Sequence, residues 1–70
     1  MKIVNRHSGI GLTVIRVQDD GGIVVLGESG VFTIRPDPGA VIRIEDDEYD
    51  ENLVLALESL SYTIRYAAYI

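Results

Sequence analysis

The chain has no cysteine and no tryptophan, and it has one histidine, one phenylalanine and one methionine among 70 residues. Without cysteine there are no disulfides and no thiolate metal sites. His7 alone cannot build a zinc centre, which takes four ligands in a structural site and three in a catalytic one. No apolar run approaches the ~18 residues that would suggest a membrane span. The opening Met1-Lys2-Ile3-Val4-Asn5-Arg6 lacks the apolar core of a secretory signal. These features point to a cytoplasmic domain with no membrane association, and neither a metal nor a cofactor is expected.

What is present is greasy. Some 47% of the residues are hydrophobic, yet a domain this small buries only ~60% of the surface its unfolded chain exposes. Small domains usually add a disulfide, a metal or a partner subunit. With the first two absent, the surplus apolar surface is expected at an interface between copies of the chain.

Net charge is −5, which disfavours nucleic acid as a generic partner. The charge is concentrated: Glu45, Asp46, Asp47, Glu48, Asp50 and Glu51 are six acids in seven residues, and the rest of the chain holds five acids against six bases. This is a nearly neutral body with one acidic loop. The loop lacks the mid-loop glycine of the helix-loop-helix calcium pattern. A solvated loop guarding a strand edge is the leading reading, with a partner or ligand contact and a calcium site as the alternatives.

Short β-rich runs alternate with turn signals at the ~8–12-residue spacing of a sandwich or barrel. The runs are Lys2–Asn5, Leu12–Val17, Ile23–Leu26, Val31–Arg35, Ala40–Glu45, Leu53–Leu57 and Ser61–Ile70. Asp20-Gly21-Gly22 marks a hairpin, and Pro36-Asp37-Pro38-Gly39 marks a tight turn. Glu51–Ser61 carries two readings. Leu53, Ala56, Leu57 and Leu60 fit a helical stripe, whereas Leu53, Leu55 and Leu57 alternate as on a strand. The surrounding strands favour the strand, which makes seven in all. In Ala40–Glu45, Ala40, Ile42 and Ile44 share one face. In Ser61–Ile70, Tyr62, Ile64, Tyr66, Ala68 and Ile70 share one face. The opposite faces are mixed, as suits a sheet packed against a neighbouring subunit.

No catalytic constellation is legible, so no enzyme is expected. His7 beside Ser8 is adjacency in sequence and not a triad. Gly9-Ile10-Gly11 and Gly27-Glu28-Ser29-Gly30 precede no helix and lack the lysine of a phosphate loop. Arg16, Arg35, Arg43 and Arg65 are spread one per strand or strand end, where pairing with acids of the same or the next subunit is expected. Tyr62, Tyr66 and Tyr69 are expected in the core or at an interface.

The stretch from Leu12-Thr13-Val14-Ile15-Arg16-Val17 through Asp19-Asp20-Gly21-Gly22 to Ile23-Val24-Val25-Leu26-Gly27 resembles the first hairpin of the trp RNA-binding attenuation protein (TRAP) family. Phe32-Thr33-Ile34-Arg35 and Asp37-Pro38-Gly39-Ala40-Val41-Ile42 resemble its next hairpin, and Leu53–Leu57 and Tyr62–Tyr66 are similar in kind to its closing strands. The resemblance implies a small seven-stranded antiparallel β-sandwich whose sheets are shared between subunits of a ring. It also implies an amino-acid ligand between subunits, in contact with Gly27, Glu28 and Ser29 on one side and with the acidic loop, Asp46 and Asp47 included, on the other. That loop repels a carboxylate, so a cationic ligand or none is expected in place of tryptophan. Arg35 is the one base that matches the family's RNA contacts. Val54-Leu55-Ala56-Leu57 supplies no base where the family carries two, so RNA recognition of the family type is not expected. The resulting expectation is a TRAP-like homo-oligomeric ring acting as a binding or regulatory scaffold. A structural assembly subunit, such as a phage or compartment component, and a binder of small molecules between protomers are the alternatives.

Overall fold

The computed structural model describes residues 1–4, 11–45 and 50–66, with the backbone alone described for Tyr66. These residues form one mixed sheet of six strands and one helix. The strands are β1 (Lys2–Val4), β2 (Gly11–Val17), β3 (Ile23–Gly27), β4 (Gly30–Ile34), β5 (Val41–Ile44) and β6 (Thr63–Tyr66), with α1 (Glu51–Ser59) between the last two. Across the sheet the order is β4-β3-β2-β1-β5-β6.

The turns follow from local chemistry. Gln18–Gly22 closes β2 onto β3: the Gly21 amide donates to the Gln18 carbonyl at 3.1 Å and the Gln18 amide to the Gly22 carbonyl at 2.8 Å. Gly21 takes a φ of +91°, a conformation that side chains resist. Between β4 and β5 the Ala40 amide donates to the Asp37 carbonyl at 3.0 Å. Pro38 fixes φ at the first central position of that turn and Gly39, at φ +77°, occupies the second, as a type II turn requires. Both turns lie where the sequence signals them.

The segment Leu53–Leu57 overturns the strand reading, for it lies within helix α1. Asp50 Oδ1 accepts from the amides of Asn52 and Leu53, at 3.0 and 3.2 Å, satisfying two of the donors a helix start leaves open. Leucine, alanine and glutamate favour the helix, and only Val54 is β-branched. Val54 and Leu57 are buried one turn apart, while Leu55 points to solvent. A strand would have placed Leu53, Leu55 and Leu57 on one face together.

The helix changes the topology. A crossover helix returns the chain beside β5 in the same direction, so β5 and β6 pair in parallel while all other pairs are antiparallel. In place of seven antiparallel strands in two layers, the described residues therefore form a six-stranded mixed sheet with a helix on one side. The family likeness of Leu53–Leu57 to a closing strand ends with it.

The core lies between that helix and one sheet face. Ile3, Leu12, Val14, Ile23, Val25, Ile42 and Ile44 from the sheet meet Val54 and Leu57 from the helix, with Tyr62 at the margin. The expected alternation holds along β5 and the described part of β6, where Ile42 and Ile44 are buried and Val41, Arg43, Thr63 and Arg65 are exposed. In β2 the register passes from Val14 opposite Val25 to Arg16 opposite Val24, leaving Ile15 as the extra residue of a bulge. Ile15 and Arg16 are both exposed as a result. Ala67 to Ile70, the end of the last run, lie outside the described residues, as does Tyr69 within them.

The helix ends in a Schellman arrangement: the Ser61 amide donates to the Glu58 carbonyl at 3.0 Å and the Tyr62 amide to the Leu57 carbonyl at 3.2 Å. Ser61 sits at φ +69°, the left-handed region that glycine prefers. Ser61→Gly is therefore expected to stabilise the fold by about 0.5–1 kcal/mol. Urea denaturation of the two proteins checks this, and no change would mean that the serine side chain offsets the backbone cost.

Candidate functional site

A concavity lies where the two halves of the chain meet. The first hairpin turn contributes Asp19, Asp20 and Gly21; Arg35 and Pro36 follow β4; Leu60 and Tyr62 follow the helix. With Pro38 they line a cleft of about 300 Å³. That volume is at the small end of the range for binding sites.

Tyr62 is placed there by the helix end. The left-handed turn at Ser61 brings the ring off the helix and into the body, where it is 7% exposed. Its hydroxyl donates to the Gly21 carbonyl at 2.7 Å, with the Pro36 carbonyl at 3.4 Å. The bond joins residues 41 positions apart and gives a buried phenol a polar partner. Burial of Tyr62 agrees with its sequence reading.

Arg35 arrives by strand register. Ile34 stands opposite Ile23, so the next residue along β4 lies beside the β2–β3 turn. There Arg35 Nη1 meets Asp20 Oδ2 at 2.9 Å across a largely exposed pair. The other oxygen, Asp20 Oδ1, accepts from the Gly22 amide at 3.0 Å. That backbone bond and then the Arg35 guanidinium hold the Asp20 carboxyl below the usual aspartate range.

The cleft thus presents one carboxylate already committed to a turn and an arginine, a second carboxylate at Asp19, proline walls and a tyrosine whose proton is engaged. It offers polar contacts and apolar walls to a small molecule. Among the described residues, no three His, Cys, Asp or Glu side chains gather in a way that could hold a metal ion. No helix among them is long and apolar enough to cross a membrane.

The residues singled out from the sequence fall elsewhere. Gly27, Glu28 and Ser29 form the β3–β4 turn, at the opposite end of β3 from the cleft and about 17 Å away along a strand of this length. Gly27 is packed closely: an added Cβ would lie 2.9 Å from Phe32 and 3.3 Å from Leu12. Asp46 and Asp47 lie outside the described residues, as do His7 and Ser8. Arg35 is the one candidate found in the cleft, and there it serves an ion pair. The Asp20–Arg35 pair was open to inference from the turn signal and the hairpin register together. The Tyr62–Gly21 bond carries no local sequence signal. Comparison with protein families, with curated proteins and with solved structures gave no match.

Two outcomes follow from this geometry. Tyr62→Phe is expected to lower stability by about 1 kcal/mol, since it leaves the Gly21 carbonyl without its donor; equal denaturation midpoints would show that water replaces the hydroxyl. Because the Asp20 pKa is lowered on folding, its stabilising share is present above the ordinary aspartate value and is lost as pH falls through the lower folded value. The stability gap between the native chain and Asp20→Asn is therefore expected to be widest near neutrality and to close in acid. A gap that persists with Asp20 protonated would assign the effect to packing.

Proposed function

We propose that this chain is a non-catalytic subunit of a homo-oligomer that works as a binding or regulatory scaffold. The observation that carries the reading is the sheet face opposite the helix. Leu26 and Val31 stand side by side on β3 and β4 there, 47% and 62% exposed, with Ile15 at 49% on the β2 bulge and Val41 at 46% on β5. One helix covers one face; on the other Val24, paired between Arg16 and Thr33, is buried, and no helix or second sheet among the described residues covers the rest.

The edge formed by β4 adds direction to this surface. Its sequence, Gly-Val-Phe-Thr-Ile, has no charge and no proline, the usual guards of an open edge. Its far side pairs with no strand among the described residues. A second copy supplies a matching edge: two β4 strands pair antiparallel about a two-fold axis, which brings the Leu26–Val31 patches of both copies onto one continuous face. A head-to-tail contact of β4 with the β6 edge of the next copy instead propagates one sheet around a ring, the form that the TRAP resemblance implies. In either arrangement Gly27, Glu28 and Ser29 flank the joint, where a ligand held between protomers would meet them.

Native mass spectrometry at micromolar concentration, the range in which specific protein complexes form, tests the reading. Discrete multimers are expected, with Val31→Lys shifting them to monomer by placing on the β4 edge the charge that ordinarily guards an open strand. A folded monomer across that range would overturn it.

A further inference from the structure

We infer that Arg43 and Arg65 form a binding site for a small oxyanion on the outer face of the sheet. The two residues are directly opposite on the parallel strands β5 and β6. Their backbones are therefore about 4.8 Å apart, the spacing of neighbouring strands. Both side chains are exposed, on the face away from the helix.

Neither arginine has a carboxylate partner among the described residues; the ion pair there is that of Arg35 with Asp20. The nearest described carboxylate on the same face is Glu45, two residues along from Arg43. Its position is informative: a Cβ added to Gly11, two strands away across β1, would lie 3.7 Å from Glu45 Oε2. The Glu45 carboxylate therefore reaches toward β2, away from β6. Two like charges directly opposite on neighbouring strands are unfavourable when left alone. A shared anion converts that repulsion into two attractions.

The chemistry suits a multi-oxygen anion. Each guanidinium presents a planar fork of N–H donors matched to phosphate, sulfate or carboxylate, and two forks side by side reach different oxygens of one group. Thr63 stands on the same face of β6, two residues before Arg65, and adds a hydroxyl donor at the border of the pair. Val41, opposite Thr63 and 46% exposed, gives the site an apolar flank. The inference is independent of self-association, because all its groups belong to one copy.

Backbone amide NMR with inorganic phosphate, sodium sulfate and sodium acetate as probes tests it, against sodium chloride at matched ionic strength. Saturable shifts confined to residues 41–44 and 63–66 are expected with phosphate or sulfate, and Arg43→Gln or Arg65→Gln should weaken binding about tenfold. Acetate binding more tightly than phosphate would support the site and assign it to carboxylates. Shifts no larger than those in chloride, or unchanged in the double variant, would overturn the inference. Melting temperature gives a second readout at low ionic strength without a multivalent anion. Arg43→Gln should leave it unchanged or raise it, and phosphate should raise that of the native chain alone. A fall in the variant would show that Arg43 is already paired within the chain and would equally overturn the site.

Discussion

Among the described residues, one helix of nine residues must cover a sheet of six strands, and it can cover only one face. That constraint orders the rest of the molecule. The covered face collects Ile3, Val14, Ile23, Val25, Ile42 and Ile44 against Val54 and Leu57, the well-sealed centre of the fold. Burying an aliphatic side chain of this size is worth roughly 1.5–3 kcal/mol, so a few such contacts decide whether a domain of this length folds at all. The opposite face keeps apolar residues for which the described residues supply no second helix and no second sheet.

The helix itself depends on its ends. Asp50 opens it by taking up two amides, and the left-handed turn at Ser61 closes it and delivers Tyr62 to the β2–β3 turn. The result is a clasp between the first hairpin and the end of the chain without a covalent bond. Arg35 and Asp20 lie on the same side of the molecule and hold the β4 exit against the same turn. The cleft between them is thus first a structural junction. Its groups are largely committed to one another, whereas Arg43 and Arg65 on the outer face have no carboxylate partner among the described residues.

Much of this architecture was legible in the residues. Asp20-Gly21-Gly22 and Pro38-Gly39 located their turns because few residues adopt the backbone those turns need. Ile42 and Ile44 declared the buried face of β5 by alternation. The stretch from Leu53 to Leu57 is ambiguous in sequence, because a short run of leucines fits both a strand and a helix, and strands on either side do not make it a strand. Asp50 followed by Leu, Ala and Glu was the signal to weigh, since a capping aspartate before good helix formers has a mechanism and a resemblance in pattern does not. Gly27, Glu28 and Ser29 were correctly placed in a turn, whereas the gathering of Asp20, Arg35 and Tyr62 depends on register and a crossover that no local pattern encodes.

Hydrogen exchange at the β4 amides, followed as a function of protein concentration, tests most directly the claim that the open β4 edge is paired with another copy. Slow exchange of the amides of Val31–Ile34 that point away from β3 is expected at high concentration, with protection lost on dilution while the amides of β2 and β3 remain slow. Rapid exchange along that edge at every concentration, in a chain whose core stays protected, would contradict the account.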